Sequence, residues 1–394
     1  MKHLLCEDKK EVDLKYDMLI IILGIGGFIS AADNWFVSPI LPAIASEFNA
    51  SIPRTGIILT LYMIPYGTMQ PIYGYFSDCY SKVKILKLII CGFALGTCGC
   101  ALSSSLFVLC IWRTVTGFFA AGIIAISLAL IGDIIPVSKR QIYVGKFMGI
   151  VFLGQGFSAG LGGTLAKYVS WRVPFIFFVV AAICTVFLLF TIPKDNVVTV
   201  DEKFFIKVKY VLLTPNGKII FPMALIVGCL LLGLYSYLGA FFYHIIGLDY
   251  MECGVIVMFY GFACLIAGSI IGKLSVKIGC KNVIILGEIF ALMATLFLIF
   301  FHCWQMGLVA TITLGVGYIF VQSTLATMAF DVASDAKGLA SGLIGFGLFC
   351  GGGIGSAFSG FVISKTSYQL LWIIFFVFIL SFIFITYKIR FNNE

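Results

Sequence analysis

Gly74-Tyr75-Phe76-Ser77-Asp78-Cys79-Tyr80-Ser81-Lys82-Val83-Lys84 is a short charged turn held between two apolar runs, 55–77 and 84–104. Each run has the roughly 20 residues that a helix needs to cross a hydrocarbon core. The turn therefore predicts a helical hairpin that crosses a membrane twice and leaves its charges at one surface. Reading outward finds further runs of the same kind at 18–42, 106–132, 143–166, 173–193, 218–245, 252–272, 282–302, 305–330, 338–363 and 368–387, twelve spans in all. Composition agrees: 61% of the 394 residues are hydrophobic and 11% charged, which excludes a water-soluble globule. The expected fold is an all-α membrane protein.

With the amino terminus placed in the cytoplasm, 21 of the 26 Lys and Arg residues fall in cytoplasmic connections and termini. The outer side receives only Arg54, Lys167, Arg172 and Lys365, and Arg113 lies inside a span. This bias predicts that both termini are cytoplasmic. It also accounts for the net charge of +8 without a nucleic-acid partner. The first 17 residues mix Lys with Asp and Glu before a full-length span, so no cleavable export signal is expected and the cell membrane is the expected location. Most of the 13 Cys fall within spans, where Cys serves as a small apolar residue, and no spacing with His completes a zinc site. Neither a metal nor a cofactor is expected.

The connection after the sixth span is the long polar one. It divides the chain into residues 1–193, a cytoplasmic linker 194–216, and residues 217–394, six spans on each side. Phe204 to Tyr210 mixes aromatic and basic residues and suits a segment lying along an anionic leaflet, or a plain solvated linker. At an offset of 198 residues the halves repeat: Tyr62 maps to Tyr260, Gly74 to Gly272, Ser77 to Ser275, Asp133 to Asp331 and Gly154 to Gly352. Two six-span halves in parallel repeat form a transporter architecture with its site between them near mid-membrane.

Two spans carry ions at that level. At about 1.5 Å per residue, Asp33 lies roughly 22 Å from the cytoplasmic end of its span and Arg113 roughly 12 Å below the outer surface. In a core of about 30 Å these depths nearly coincide. Charge so deep is costly unless paired or wetted, so Asp33 and Arg113 are candidates for proton coupling, with a structural ion pair as the alternative. Ser30, Asn34, Tyr62, Tyr66, Gln70, Tyr235, Tyr237, Tyr318 and Gln322 are the candidate substrate contacts, polar and aromatic groups at expected cavity positions. Glu288 is also intramembrane, but close enough to a helix start to snorkel to the interface.

In the opening turn Gly74 permits close helix contact, and Asp78 is placed to bind a neighbouring helix N-terminus or an Arg. A solvated turn with incidental charges is the other reading. These residues resemble the loop signature of the major facilitator superfamily, a glycine followed four residues later by Asp and then a basic cluster, with Ser81 where a second glycine is usual. Arg113-Thr114-Val115-Thr116-Gly117, Asp133 to Arg140, and Ser170-Trp171-Arg172 fit the same family. Asp33-Asn34 followed by Leu41-Pro42 resembles the first span of its twelve-span drug:proton antiporter branch. Span five departs from that branch, since it has Gly149, Gly154, Gly156, Gly160, Gly162 and Gly163 but no Gly-Pro pair.

The resemblance implies a gating set of Gly74, Asp78, Lys82, Asp133 and Arg140, and a monomer exchanging protons for small organic, amphiphilic substrates. A sugar or metabolite transporter of the same fold is the nearest rival. An enzyme is disfavoured because no His, Cys or Ser group has nucleophile-and-base character, and a receptor because no soluble sensing segment is present.

Overall fold

The computed structural model describes residues 2–192, 204–332 and 337–389, with the side chains of 2–13, 78–79, 137–138, 140–141, 330–331 and 337–338 outside that description. Every regular element among the described residues is helical. In chain order these are α1 Lys2–Trp35, α2 Val37–Glu47, α3 Ile52–Thr55, α4 Ile57–Cys79, α5 Lys82–Ala101, α6 Leu106–Ala120, α7 Ile123–Ile134, α8 Val137–Tyr168 and α9 Val173–Leu189. The second part of the chain adds α10 Phe204–Leu213, α11 Gly217–Val227, α12 Gly233–Ser236, α13 Leu238–Phe241, α14 Tyr250–Ile278, α15 Cys280–Phe300, α16 Trp304–Val332, α17 Lys337–Lys365 and α18 Tyr368–Lys388.

Among the described residues, ten helical segments are long and apolar enough to cross a membrane. The two remaining predicted spans, 55–77 and 173–193, coincide with α4 and α9. Helix α4 is long enough but carries Thr60, Tyr62, Tyr66, Thr68, Gln70 and Tyr73 along its length, and α9 is apolar but only 17 residues long. Large side chains on the outer surface are apolar, among them Leu88, Leu95, Phe107, Phe187 and Phe384. That is the pattern of a chain whose solvent is lipid.

Three predicted spans are not continuous. The first breaks at Phe36, between α1 and α2, and Pro39 and Pro42 follow directly. The fourth is interrupted between α6 and α7, where a Cβ at Gly122 would press on the Tyr73 ring. The seventh is assembled from α11, a π-turn at Gly228–Leu232, α12, α13 and a second π-turn at Phe242–Ile246, with its break at Tyr237. Hydropathy registers none of these interruptions because the broken segments stay apolar.

The breaks in spans one and seven mend each other. Proline has no N–H, so Pro39 leaves the carbonyl four residues earlier, that of Trp35, without its helical donor. The Tyr235 hydroxyl donates to that carbonyl at 2.9 Å. In return Ser38 Oγ accepts from the Gly239 N–H at 3.4 Å and donates to the Tyr235 carbonyl at 3.0 Å. One serine hydroxyl thus stands in for a missing turn of the opposite helix.

Glycine sets how closely the helices approach. Helices α8 and α14 meet at two levels seven residues apart, Gly156 on Gly261 and Gly163 on Gly254, with a Cβ on Gly254 falling 3.0 Å from the Gly163 Cα. Helix α4 packs along α17, where a Cβ at Gly67 would lie 2.7 Å from the Cys350 backbone nitrogen. Small residues that let backbones touch are the usual glue where lipid removes the hydrophobic drive between helices. In the linker, α10 is a short helix with Phe205, Ile206 and Tyr210 exposed.

Candidate functional site

Asp33, near the end of α1, and Arg113, in α6, form a direct ion pair. Arg113 Nη1 donates to Asp33 Oδ2 at 2.6 Å, and both side chains have no solvent exposure. The guanidinium lies over the Tyr62 ring, 4.1 Å from its centroid. Asp33 Oδ1 and Arg113 Nε and Nη2 have no hydrogen-bond partner among the described residues. The pair belongs to one half only. At the 198-residue offset, Asp33 maps to Leu231 and Arg113 to Thr311.

Next to the pair lies a cavity of about 310 Å³ between the two halves. Its walls come from α1, α4, α7, α8, α16 and α17. It reaches from Asn34 and Trp35 toward the helix ends that carry the 74–84 turn, ending near Gln70, Leu128, Met148 and Ser341. Of the predicted contacts, Ser30, Asn34, Tyr66, Gln70, Tyr318 and Gln322 line it. Asp33 and Arg113 stand behind this wall rather than in it.

The structure places Tyr62, Tyr235 and Tyr237 elsewhere. Tyr62 covers Arg113, and Tyr235 packs edge-on against Trp35 at 4.4 Å while donating to its carbonyl. Tyr237 is fully buried, its hydroxyl against Gly56 and Gly360. Trp35, Gln155, Ser323 and Phe349 line the cavity unpredicted. Gln155 had a signal, being the one strongly polar side chain in the glycine-rich run 149–163. Trp35 sits at the cavity's closed end, stacked on Tyr260 at 4.9 Å.

Beyond Trp35 the halves are sealed by the mended breaks and by Thr60 Oγ1 donating to the Gly353 carbonyl at 3.0 Å. At the edge of this seal Lys167 bonds Asp249 at 2.6 Å, joining the end of α8 to the N-cap of α14. Burial pushes the Asp249 carboxyl up, but bonds from Lys167 and the Glu252 N–H outweigh it and hold it below the usual carboxylate range. The Ser170-Trp171-Arg172 motif acts at the same end. Trp171 Nε1 donates to Glu47 Oε2 at 2.6 Å, and Arg172 binds the other oxygen of Glu47 and, at 2.8 Å, the Ser103 carbonyl. Here too burial opposes ionisation, and the bonds from Arg172 and Trp171 keep the Glu47 carboxyl below its usual range.

At the opposite end, Lys82 pairs with Asp133 at 2.9 Å, tying the start of α5 to the end of α7. Both partners belong to the first half of the chain. Ser77 Oγ donates to the Gly74 carbonyl at 2.7 Å, closing the last turn of α4 on itself. Asp78 and Arg140 lie outside the described side chains. Glu288 does not snorkel. It is 1% exposed and accepts a 2.7 Å bond from Thr386 on α18, because α18 covers the face of α15 that carries it.

The profile of the Major Facilitator Superfamily matches residues 23–346. Multidrug resistance protein fnx1 of Schizosaccharomyces pombe is 31% identical over 43% of this chain and 32% of its own length. The vacuolar membrane amino acid uptake transporter fnx2 of the same organism is 29% identical over 46% of this chain and 32% of its own. The matched stretch therefore spans about a third of either relative. A bacterial homolog of the human lysosomal transporter Spinster, solved inward-facing and unoccupied, superposes with a TM-score of 0.73 over 94% of this chain and 96% of that one, at 15% identity. At that identity the likeness concerns the fold.

Proposed function

The chain belongs to the Major Facilitator Superfamily, and we propose that it is a secondary transporter that exports small amphiphilic compounds in exchange for protons. In this reading it has twelve spans, both termini in the cytoplasm, and resides in the cell membrane as a monomer. The bias of basic residues supports a cytoplasmic 74–84 turn, and with that orientation the cavity opens inward and the mended breaks close the outer side.

The observation that carries the reading is the fully buried Asp33–Arg113 pair standing directly behind the cavity wall. A proton added to Asp33 leaves the Arg113 charge unbalanced, and the Tyr62 ring and the neighbouring end of α1 must respond. Because Asn34 and Trp35 follow Asp33 on the same helix, that response reaches the cavity wall and the outer seal together. Proton uptake from outside and release inside would then alternate with substrate movement as residues 1–193 rock against residues 217–394. The Lys82–Asp133 pair keeps the turn rigid at the cytoplasmic mouth.

The test is transport in proteoliposomes under an imposed pH gradient, with cationic, neutral and anionic compounds. Gradient-driven movement of amphiphiles supports the reading. Movement of amino acids or sugars alone would replace drug export with metabolite transport, and movement independent of the gradient would remove proton coupling.

A further inference from the structure

Resting on that transport reading, we infer that the cavity selects uncharged, flat molecules bearing an amide-like face that both donates and accepts hydrogen bonds. Its described wall contains no Asp, Glu, Lys, Arg or His. The charges of Asp33 and Arg113 neutralise each other behind the wall. An ion entering would lose water and meet no counter-charge, an outcome that strongly disfavours binding.

The wall's polar chemistry is instead that of carboxamides. Asn34 and Gln155 are 3% and 7% exposed, and Asn34 Nδ2 and Oδ1, Gln155 Nε2 and Gln322 Oε1 have no hydrogen-bond partner among the described residues. Buried polar groups are nearly always bonded, to protein or to water, so four such atoms around one cavity are bonding positions open to ligand atoms. Two are donors and two are acceptors. A cation satisfies only acceptors and an anion only donors, whereas an amide or lactam edge satisfies both. Trp35, Tyr318 and Phe349 supply flat apolar surface for the remainder of the molecule.

The experiment compares three probes of one shape: a naphthalene carboxamide, the matching amidine, which is a cation, and the matching carboxylate, an anion. Binding to the detergent-solubilised full chain is measured by calorimetry at neutral pH, so the result does not depend on transport. The carboxamide should bind about tenfold or more tightly than either ion. Gln155→Leu, which keeps the volume but not the donor, should lower carboxamide affinity by a similar factor. Asn34→Leu is the second variant, and unchanged thermal unfolding certifies the fold of each. The inference is overturned if an ion binds as well as the carboxamide, if both variants bind it unchanged, or if no probe binds. Failure of the transport reading would be registered separately, as a lack of gradient-driven flux in proteoliposomes for compounds that do bind.

Discussion

Replacing Gly163 by valine should push the transporter toward its outward-open conformation. A Cβ at Gly163 would collide with the Tyr250 carbonyl oxygen and lie 2.9 Å from the Gly254 Cα, where ordinary contact is 3.4–4 Å. The ends of α8 and α14 must then part by roughly 0.5–1 Å, an overpacking that costs about 1–3 kcal/mol in a well-filled core. When the outer end is open that contact is absent, so the cost acts as a bias between conformations. A bias of this size moves the population about 5- to 150-fold. The assay introduces Ala240→Cys, a position with no exposure at the sealed end, into a background without native cysteines, and adds an impermeant maleimide from outside. The valine variant should label faster by that factor, Gly163→Ala should label faster by less, and gradient-driven transport should fall in both. An unchanged labelling rate in folded protein would refute the claim that glycine contact between α8 and α14 holds the outer side shut.

Asp33→Asn keeps size and polarity but removes the titrating group, so substrate-induced proton release from solubilised protein should vanish while some binding remains. Release like that of the wild type would shift attention to Glu288. Arg113→Ala should also destabilise the fold, since breaking a buried pair costs about 3–5 kcal/mol, and Arg113→Lys should rescue only in part because lysine lacks the planar fork. Both are read by thermal unfolding and flux. A lone cysteine at position 79 should react with an impermeant thiol reagent only from the cytoplasmic side, and labelling of intact cells from outside would reverse the topology. Glu47 is held below its ordinary value of 4.5, so the stability it contributes is complete above that value and disappears as pH falls through the lowered one. Arg172→Ala should flatten this acid dependence of thermal unfolding, and an unaltered profile would mean that the contact with Glu47 contributes nothing.

The all-helical, membrane-spanning character was legible in the sequence, because the length and hydropathy of the spans are properties of the chain itself. Asp33 and Arg113 could be matched by depth alone, since each stands in an otherwise apolar span and rise per residue is fixed. Tyr62, Tyr235 and Tyr237 show where such reasoning stops. Depth gives the level of a side chain but not its azimuth, and these tyrosines turn toward Arg113, Trp35 and the Gly56–Gly360 contact instead of the cavity. Glu288 departs from its sequence expectation for a related reason. Its distance from a helix end is set by the sequence, but the covering of that face by α18 is a tertiary fact. The interrupted spans had a partial signal in Pro39 and Pro42, whereas the π-turns of span seven have none in hydropathy.

The exchange between Ser38 and Tyr235 bears on how the chain is assembled. In lipid, a backbone carbonyl or N–H without a partner is costly, since no water is there to take its place. Inserted alone, the first half would present the bare carbonyl of Trp35 to the bilayer, and the second half the N–H of Gly239. Each fragment carries the hydroxyl that the other lacks. A gene cut within the linker should therefore yield two polypeptides that find each other in the membrane, and complementation between them should depend on Ser38 and Tyr235 more than on the peptide that once joined them.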